Sequence, residues 1–86
     1  MRKIIFQKEA FDQINEWFDN NPKVVKVIWQ LIKEIQRSPF EGKGKPEPLK
    51  YKFSGYWSRR IIDEHRLIYK ASDTEIFIIS CKGHYT

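Results

Sequence analysis

Cysteine is nearly absent from this 86-residue chain: Cys81 stands alone, so no internal disulfide can form. Cys and His never cluster at the spacing a structural zinc needs. No apolar run is long enough to cross a bilayer, and Met1 to Phe6 carries charges without the hydrophobic region or cleavage site of a signal peptide. Internal repeats and low-complexity segments are missing too. These absences leave burial as the means of holding a fold, and a cytoplasmic protein is expected.

Enough apolar material is present for that. Hydrophobic residues make up 41% of the chain, with six Phe, four Tyr and three Trp, which suffices for one core and argues against disorder. A chain of this length cannot supply two cores, so residues 1–86 are expected to form one domain. The net charge of +5 is uneven, because residues 39–62 hold six Lys and Arg against two Glu. Such a patch suits phosphate or an acidic protein, and is equally a solvated face.

The spacing predicts an α+β fold. Arg2 to Phe6 has the content of a short strand. From Lys8, the residues Ala10, Phe11, Ile14, Trp17 and Phe18 recur at helical spacing. Asn21 is placed to cap a second helix that starts at Pro22, and Val24, Val25, Ile28, Leu31, Ile32 and Ile35 mark its inner stripe. That helix should end near Ser38, ahead of Pro39, and the pair should form an antiparallel hairpin. Trp17 and Trp29 read as core. Strands are expected at Tyr56 to Ile62, His65 to Ala71 and Glu75 to Tyr85, joined by turns at Asp63-Glu64 and Ser72-Asp73-Thr74.

Strand parity then sorts the side chains. With one residue added by the first turn or a bulge, Trp57, Ile61, Leu67 and Tyr69 share one face, and Ser58, Arg60, Ile62, Arg66, Ile68 and Lys70 the other. A three-residue second turn would add Phe77, Ile79 and Cys81 to the apolar face. The expected architecture is an N-terminal strand and helical hairpin packed on one face of an antiparallel sheet, the other face open and basic with Arg60, Arg66, Lys82 and His84.

Between helices and sheet lies PFEGKGKPEPLK, Pro39 to Lys50, with three prolines and two glycines in twelve residues. No regular ladder is expected through it. A loop this long in so small a domain is usually functional. It would bring Glu47 and Lys50 to an anionic substrate on the sheet.

Cleavage of RNA by its own 2′-hydroxyl needs a base, positive charge on the phosphorane oxygens and an acid for the leaving 5′-oxygen. No metal or cofactor is required. Glu47 is the candidate base, Arg66 the phosphate clamp and His84 the acid, with Lys50 and Arg60 sharing the charge stabilisation. Ordinary readings stand beside these. Glu47 is also a surface ion-pair partner, His84 a solvated terminal residue, and Arg66 a partner for Asp63 or Glu64.

PFEGKGKPEPLK, followed by FSGYWSRRI, EHRLIYK and CKGHY, resembles the YoeB-type toxins of the RelE superfamily over essentially the whole chain. The resemblance implies a RelE/YoeB-like fold and a ribosome-dependent mRNA endonuclease acting in the A site. It also implies restraint by a YefM-like antitoxin covering the basic cleft, and a homodimer. On this resemblance the family's site residues fall on Glu47, Lys50, Arg60, Arg66, His84 and Tyr85, with Glu64 positioning the arginine and Tyr85 orienting the nucleotide or the leaving group. Thr86 extends one residue beyond the usual His-Tyr ending. Two other classes stay open: a non-catalytic ParE-like poison of DNA gyrase, and an RNA-binding module that blocks translation by occupancy.

Overall fold

Six aliphatic residues on one stripe, Val24, Val25, Ile28, Leu31, Ile32 and Ile35, are buried on a 16-residue helix and form the centre of the core. The computed structural model describes residues 1–83 of the chain. In order these form β1 (Lys3–Phe6), α1 (Lys8–Asn20), α2 (Pro22–Arg37), β2 (Glu47–Pro48), a 3₁₀ turn (Tyr51–Phe53), β3 (Trp57–Ile62), β4 (His65–Ala71) and β5 (Glu75–Ser80). Pro22 opens α2, where its missing amide costs nothing. Asn21 contributes its carbonyl to Val24 N, while its side chain makes no cap bond, contrary to expectation.

The sheet runs β1-β5-β4-β3-β2. Strands β3 to β5 are antiparallel, as the spacing implied, and β2 adds an antiparallel edge, but β1 pairs with β5 in parallel, so the sheet is mixed. The helical hairpin carries the chain away after β1, and of the four later strands the last, β5, returns to lie beside it. Leu67, Tyr69, Ile76 and Ile78 face the helices and join one core cluster with Ala10, Ile14, Trp17 and the α2 stripe. Trp17 fixes the end of β5 as well, its indole N–H donating to the Cys81 carbonyl at 2.9 Å.

The first hairpin carries the extra residue as a bulge between Arg60 and Ile62, and Arg60 falls opposite Arg66. The second hairpin differs from expectation. Ser72 N donates to Glu75 O, leaving Asp73-Thr74 as a two-residue loop. Shortening the loop by one residue reverses the parity beyond it, so Ile76 and Ile78 are buried, and Phe77 and Ile79 lie on the face away from the helices. A second register shift, with Ile79 as the extra residue, returns Cys81 to the buried side.

Three further corrections concern side chains. Phe11 and Phe18 are more than half exposed, because Ala10, Ile14 and Trp17 fill the inner stripe of α1. Trp29 is 38% exposed and packs edge-on against Phe6 at 5.8 Å, at the margin of the core. Lys82 is not on the open face: its ammonium reaches Glu16 at 2.6 Å and lies over the Trp17 ring, on the side of α1. Strand β5 ends at Ser80 rather than Tyr85.

Candidate active site

The proline-rich loop is held by a buried arginine that the sequence reading passed over. Parity on β3 puts Arg59 on the helix side with Trp57, and it is fully buried. Its five N–H donors are all used. Nε donates to the Tyr69 hydroxyl at 3.1 Å, one terminal nitrogen to Glu34 Oε1 at 2.6 Å and Lys43 O at 3.2 Å, and the other to Ser38 O at 2.6 Å and Glu41 O at 2.8 Å. Tyr69 in turn donates to Pro39 O at 2.6 Å. The loop from 38 to 43 is thus wrapped around one guanidinium, whose planar fork is the reason an arginine serves here. An arginine on the apolar side of a strand alternation, between Trp57 and Ile61, was the available signal.

Glu34 anchors the same knot from α2. Its carboxylate accepts from Lys43 N at 2.6 Å, and this backbone hydrogen bond, aided by the Arg59 guanidinium, holds its carboxyl below the usual range. Burial lifts the Tyr69 hydroxyl in the opposite direction, keeping it protonated as a donor. Gly42 has no room for a side chain, since a Cβ there would overlap the Glu34 carboxylate. Gly44, at φ +83°, presents its carbonyl to Arg60 N at 2.7 Å.

Beyond Gly44 the chain joins the sheet edge, where Glu47 pairs with Ser58 and Pro48 with Trp57, and Leu49 N donates to Tyr56 O. The segment expected to carry no ladder therefore carries a short one, on an edge strand where proline is tolerated. Register sets the face. Glu47 opposes Ser58, which opposes Ile68, so Glu47 belongs to the side away from the helices. The adjacent row on that side is Arg60 opposite Arg66. Two strand spacings and one two-residue step separate Glu47 from Arg66, about 12 Å between Cα atoms, a gap that a phosphodiester and its ribose can bridge.

Glu47 and Arg60 are exposed and Arg66 half-buried. Among the described residues neither arginine has a carboxylate partner. One terminal nitrogen of the Arg66 guanidinium donates to the Asp63 carbonyl at 3.1 Å and to the His65 carbonyl at 3.3 Å, which ties the head of the side chain to the β3–β4 turn and leaves Nε and the other terminal nitrogen as donors. Glu64 sits elsewhere: its carboxylate is 3.6 Å from His65 Nε2, and among the described residues it forms no ion pair with Arg66. Lys50 is exposed and leads into the 3₁₀ turn, three residues after Glu47. His84 and Tyr85 lie outside the described residues. The peptide leading to them is clamped, because Gly83 N donates to His65 Nδ1 and Gly83 O accepts from Arg66 N, both at 2.8 Å. His65 was not singled out by sequence, although it adjoins Arg66 in EHR. Among the described residues no three His, Cys, Asp or Glu side chains gather to hold a metal.

Comparison with known proteins identifies the family and the fold. Residues 6–85 match the model of the YoeB-like toxin of bacterial type II toxin-antitoxin systems. Toxin YoeB of Escherichia coli K12 is 49% identical over 83 residues, covering 96% of this chain and 99% of that protein. The YoeB dimer from Staphylococcus aureus superposes with a TM-score of 0.91 at 47% identity over 98% of each chain. The toxin in a YoeB-YefM complex from the same organism gives 0.88 at 48% identity over 99% of each. This chain belongs to the YoeB-like toxin family of bacterial type II toxin-antitoxin systems.

Proposed function

We propose that this toxin is a ribosome-dependent endoribonuclease that cuts message in the A site, acts in the cytoplasm as a homodimer, and is restrained by a YefM-like antitoxin. The observation that carries the reading is the shared sheet face: register assigns Glu47, Arg60 and Arg66 to the side opposite the helices, one acid among cations. The dimer and the antitoxin rest on the S. aureus relatives, found as a YoeB dimer and as a YoeB-YefM complex.

In this mechanism the Glu47 carboxylate takes the 2′-hydroxyl proton and the 2′-oxygen attacks the phosphorus. The 5′-oxygen departs with a proton from His84, leaving a 2′,3′-cyclic phosphate. Arg66 and Arg60 lie across the phosphate and stabilise the charge that grows on its equatorial oxygens, with Lys50 contributing from the hairpin. Tyr85 orients the nucleotide. Glu64, at His65, acts only indirectly, by steadying the imidazole that holds Gly83.

Primer extension on a translated message, with and without the protein, tests this directly. New 5′ ends in the A-site codon are expected with wild type, reduced about 10²- to 10⁴-fold for Glu47→Ala and His84→Ala, and strongly reduced for Arg66→Ala. Wild-type cutting by all three variants would overturn the assignment.

A further inference from the structure

On the same face as Glu47 and Arg66 lies a hollow of about 190 Å³ lined by Gln7, Tyr56, Lys70, Phe77 and Ile79. We propose that it is a nucleobase subsite, holding the base of a nucleotide that flanks the cleaved phosphodiester. The proposal rests on the ribonuclease reading above and deepens it.

Register brings its walls together. Lys70 pairs with Phe77, and continuing the β3–β4 ladder one residue past Trp57–Tyr69 puts Tyr56 opposite Lys70. The Lys70 ammonium lies 5.8 Å from the centre of the Tyr56 ring. Both rings are half-buried and Lys70 is exposed. Among the described residues Lys70 has no carboxylate partner. An aromatic surface edged by a free cation is what single-stranded nucleic acid uses, the base stacking while its phosphate meets the charge.

Along β4 the face then reads as three successive rows. Arg60 and Arg66 form one, Glu47, Ser58 and Ile68 the next, and Tyr56, Lys70 and Phe77 the third. Arg66 and Lys70 are four residues apart on one strand, roughly 13 Å, the span of an extended dinucleotide. A phosphate held at the arginine row thus has a base two nucleotides away within reach of the hollow, across a middle row in which Ser58 and Ile68 are themselves buried.

The lining favours a base over an acidic peptide segment. Gln7 sits at the start of α1 but makes no side-chain cap bond, so its amide can offer a donor and an acceptor side by side to a base edge. The space admits a flat ring system and is too small for a helix about 10 Å wide.

The test is a double-mutant cycle on programmed ribosomes. The partners are Tyr56→Leu in the protein and a single abasic nucleotide in the message, placed second from the cut on either side. Each change alone is expected to raise KM about five- to a hundred-fold, the value of one stacked base, with kcat within about twofold. Together they should cost no more than the larger alone, at one of the two message positions. Tyr56→Phe should behave as wild type, and Lys70→Ala should raise KM with a melting temperature unchanged. If wild type cuts and both Tyr56→Leu and Lys70→Ala leave KM unchanged, the subsite is refuted and the nuclease stands. Loss of affinity for the antitoxin with KM unchanged assigns the hollow to a protein partner and equally overturns it. A wild type that cuts nothing refutes the ribonuclease reading and this subsite with it.

Discussion

Arg60 and Arg66 are direct cross-strand partners, two like charges face to face on adjacent antiparallel strands with no acidic side chain between them among the described residues. Such a pair works against the fold by a few tenths to about 1 kcal/mol. Its retention makes sense where an anion spends part of its time between the two, since binding to the folded state offsets the repulsion.

Arg60→Gln is therefore expected to raise stability by about 0.5 kcal/mol while lowering message cleavage at least tenfold. Sulfate should stabilise the wild type more than the variant. Thermal melts with and without sulfate, run beside primer extension, decide the matter. A variant that is less stable and cuts normally would remove the anion-clamp role from this pair.

Glu34 gives the protein an acid-sensitive joint. Its folded-state pKa lies below the unfolded value, chiefly because Lys43 N donates to it, with Arg59 adding charge. The stability it contributes is fully present above the ordinary carboxylate range near pH 4.3 and lost as pH falls through that range toward the folded value. Glu34→Gln is expected to be less stable than wild type at pH 7 and to show a flatter loss between about pH 5 and pH 3. Denaturant titrations across that window check it, and equal slopes for the two proteins would count against the joint.

How much of this was legible beforehand divides along physical lines. The helices were readable because their apolar stripes repeat locally, and the Arg60–Arg66 pairing because only one register separated charged from apolar side chains on β3 and β4. Turn length was not readable: Ser72-Asp73-Thr74 accepts a two- or three-residue loop, and that single residue moved Phe77 and Ile79 onto the face of Glu47. Arg59 escaped notice because its five acceptors come from Tyr69, Glu34 and three loop carbonyls that are distant in sequence. Lys82 was misplaced because parity ceases to apply where β5 ends, and Glu16 on α1 was there to take its charge.

Cys81 behaves as a core residue. It is fully buried, its thiol lies 3.6 Å from the Ala10 carbonyl, and burial, followed by Glu16 and Glu9, pushes its pKa up to about 12. The thiolate is the reactive species, so the folded protein is expected to resist a disulfide reagent at pH 8 and to be labelled only through unfolding. Labelling rates should rise with denaturant in step with the unfolded fraction. Labelling of the native protein at the rate of a free thiol would contradict the buried placement.

Tyr51 holds a left-handed backbone, φ +58°, with its side chain 92% exposed. That conformation costs an ordinary residue roughly 1–2 kcal/mol. It persists because Phe53 N donates to Lys50 O, Ser54 N to Tyr51 O and Tyr56 N to Phe53 O, closing the tip of the β2–β3 hairpin. Glycine removes the steric cost but gives back about 0.4–1 kcal/mol in unfolded-chain entropy, and the exposed ring has little packing to lose. Tyr51→Gly is thus expected to raise stability by about 0.5 kcal/mol, a gain of roughly 2–4 °C in melting temperature, whereas Tyr51→Val should lower it. Because the strain sits between Lys50 and the stretch that leads into β3, relief that comes with slower cleavage would identify it as strain retained for the site. Relief with unchanged cleavage would identify it as a cost of closing the turn alone.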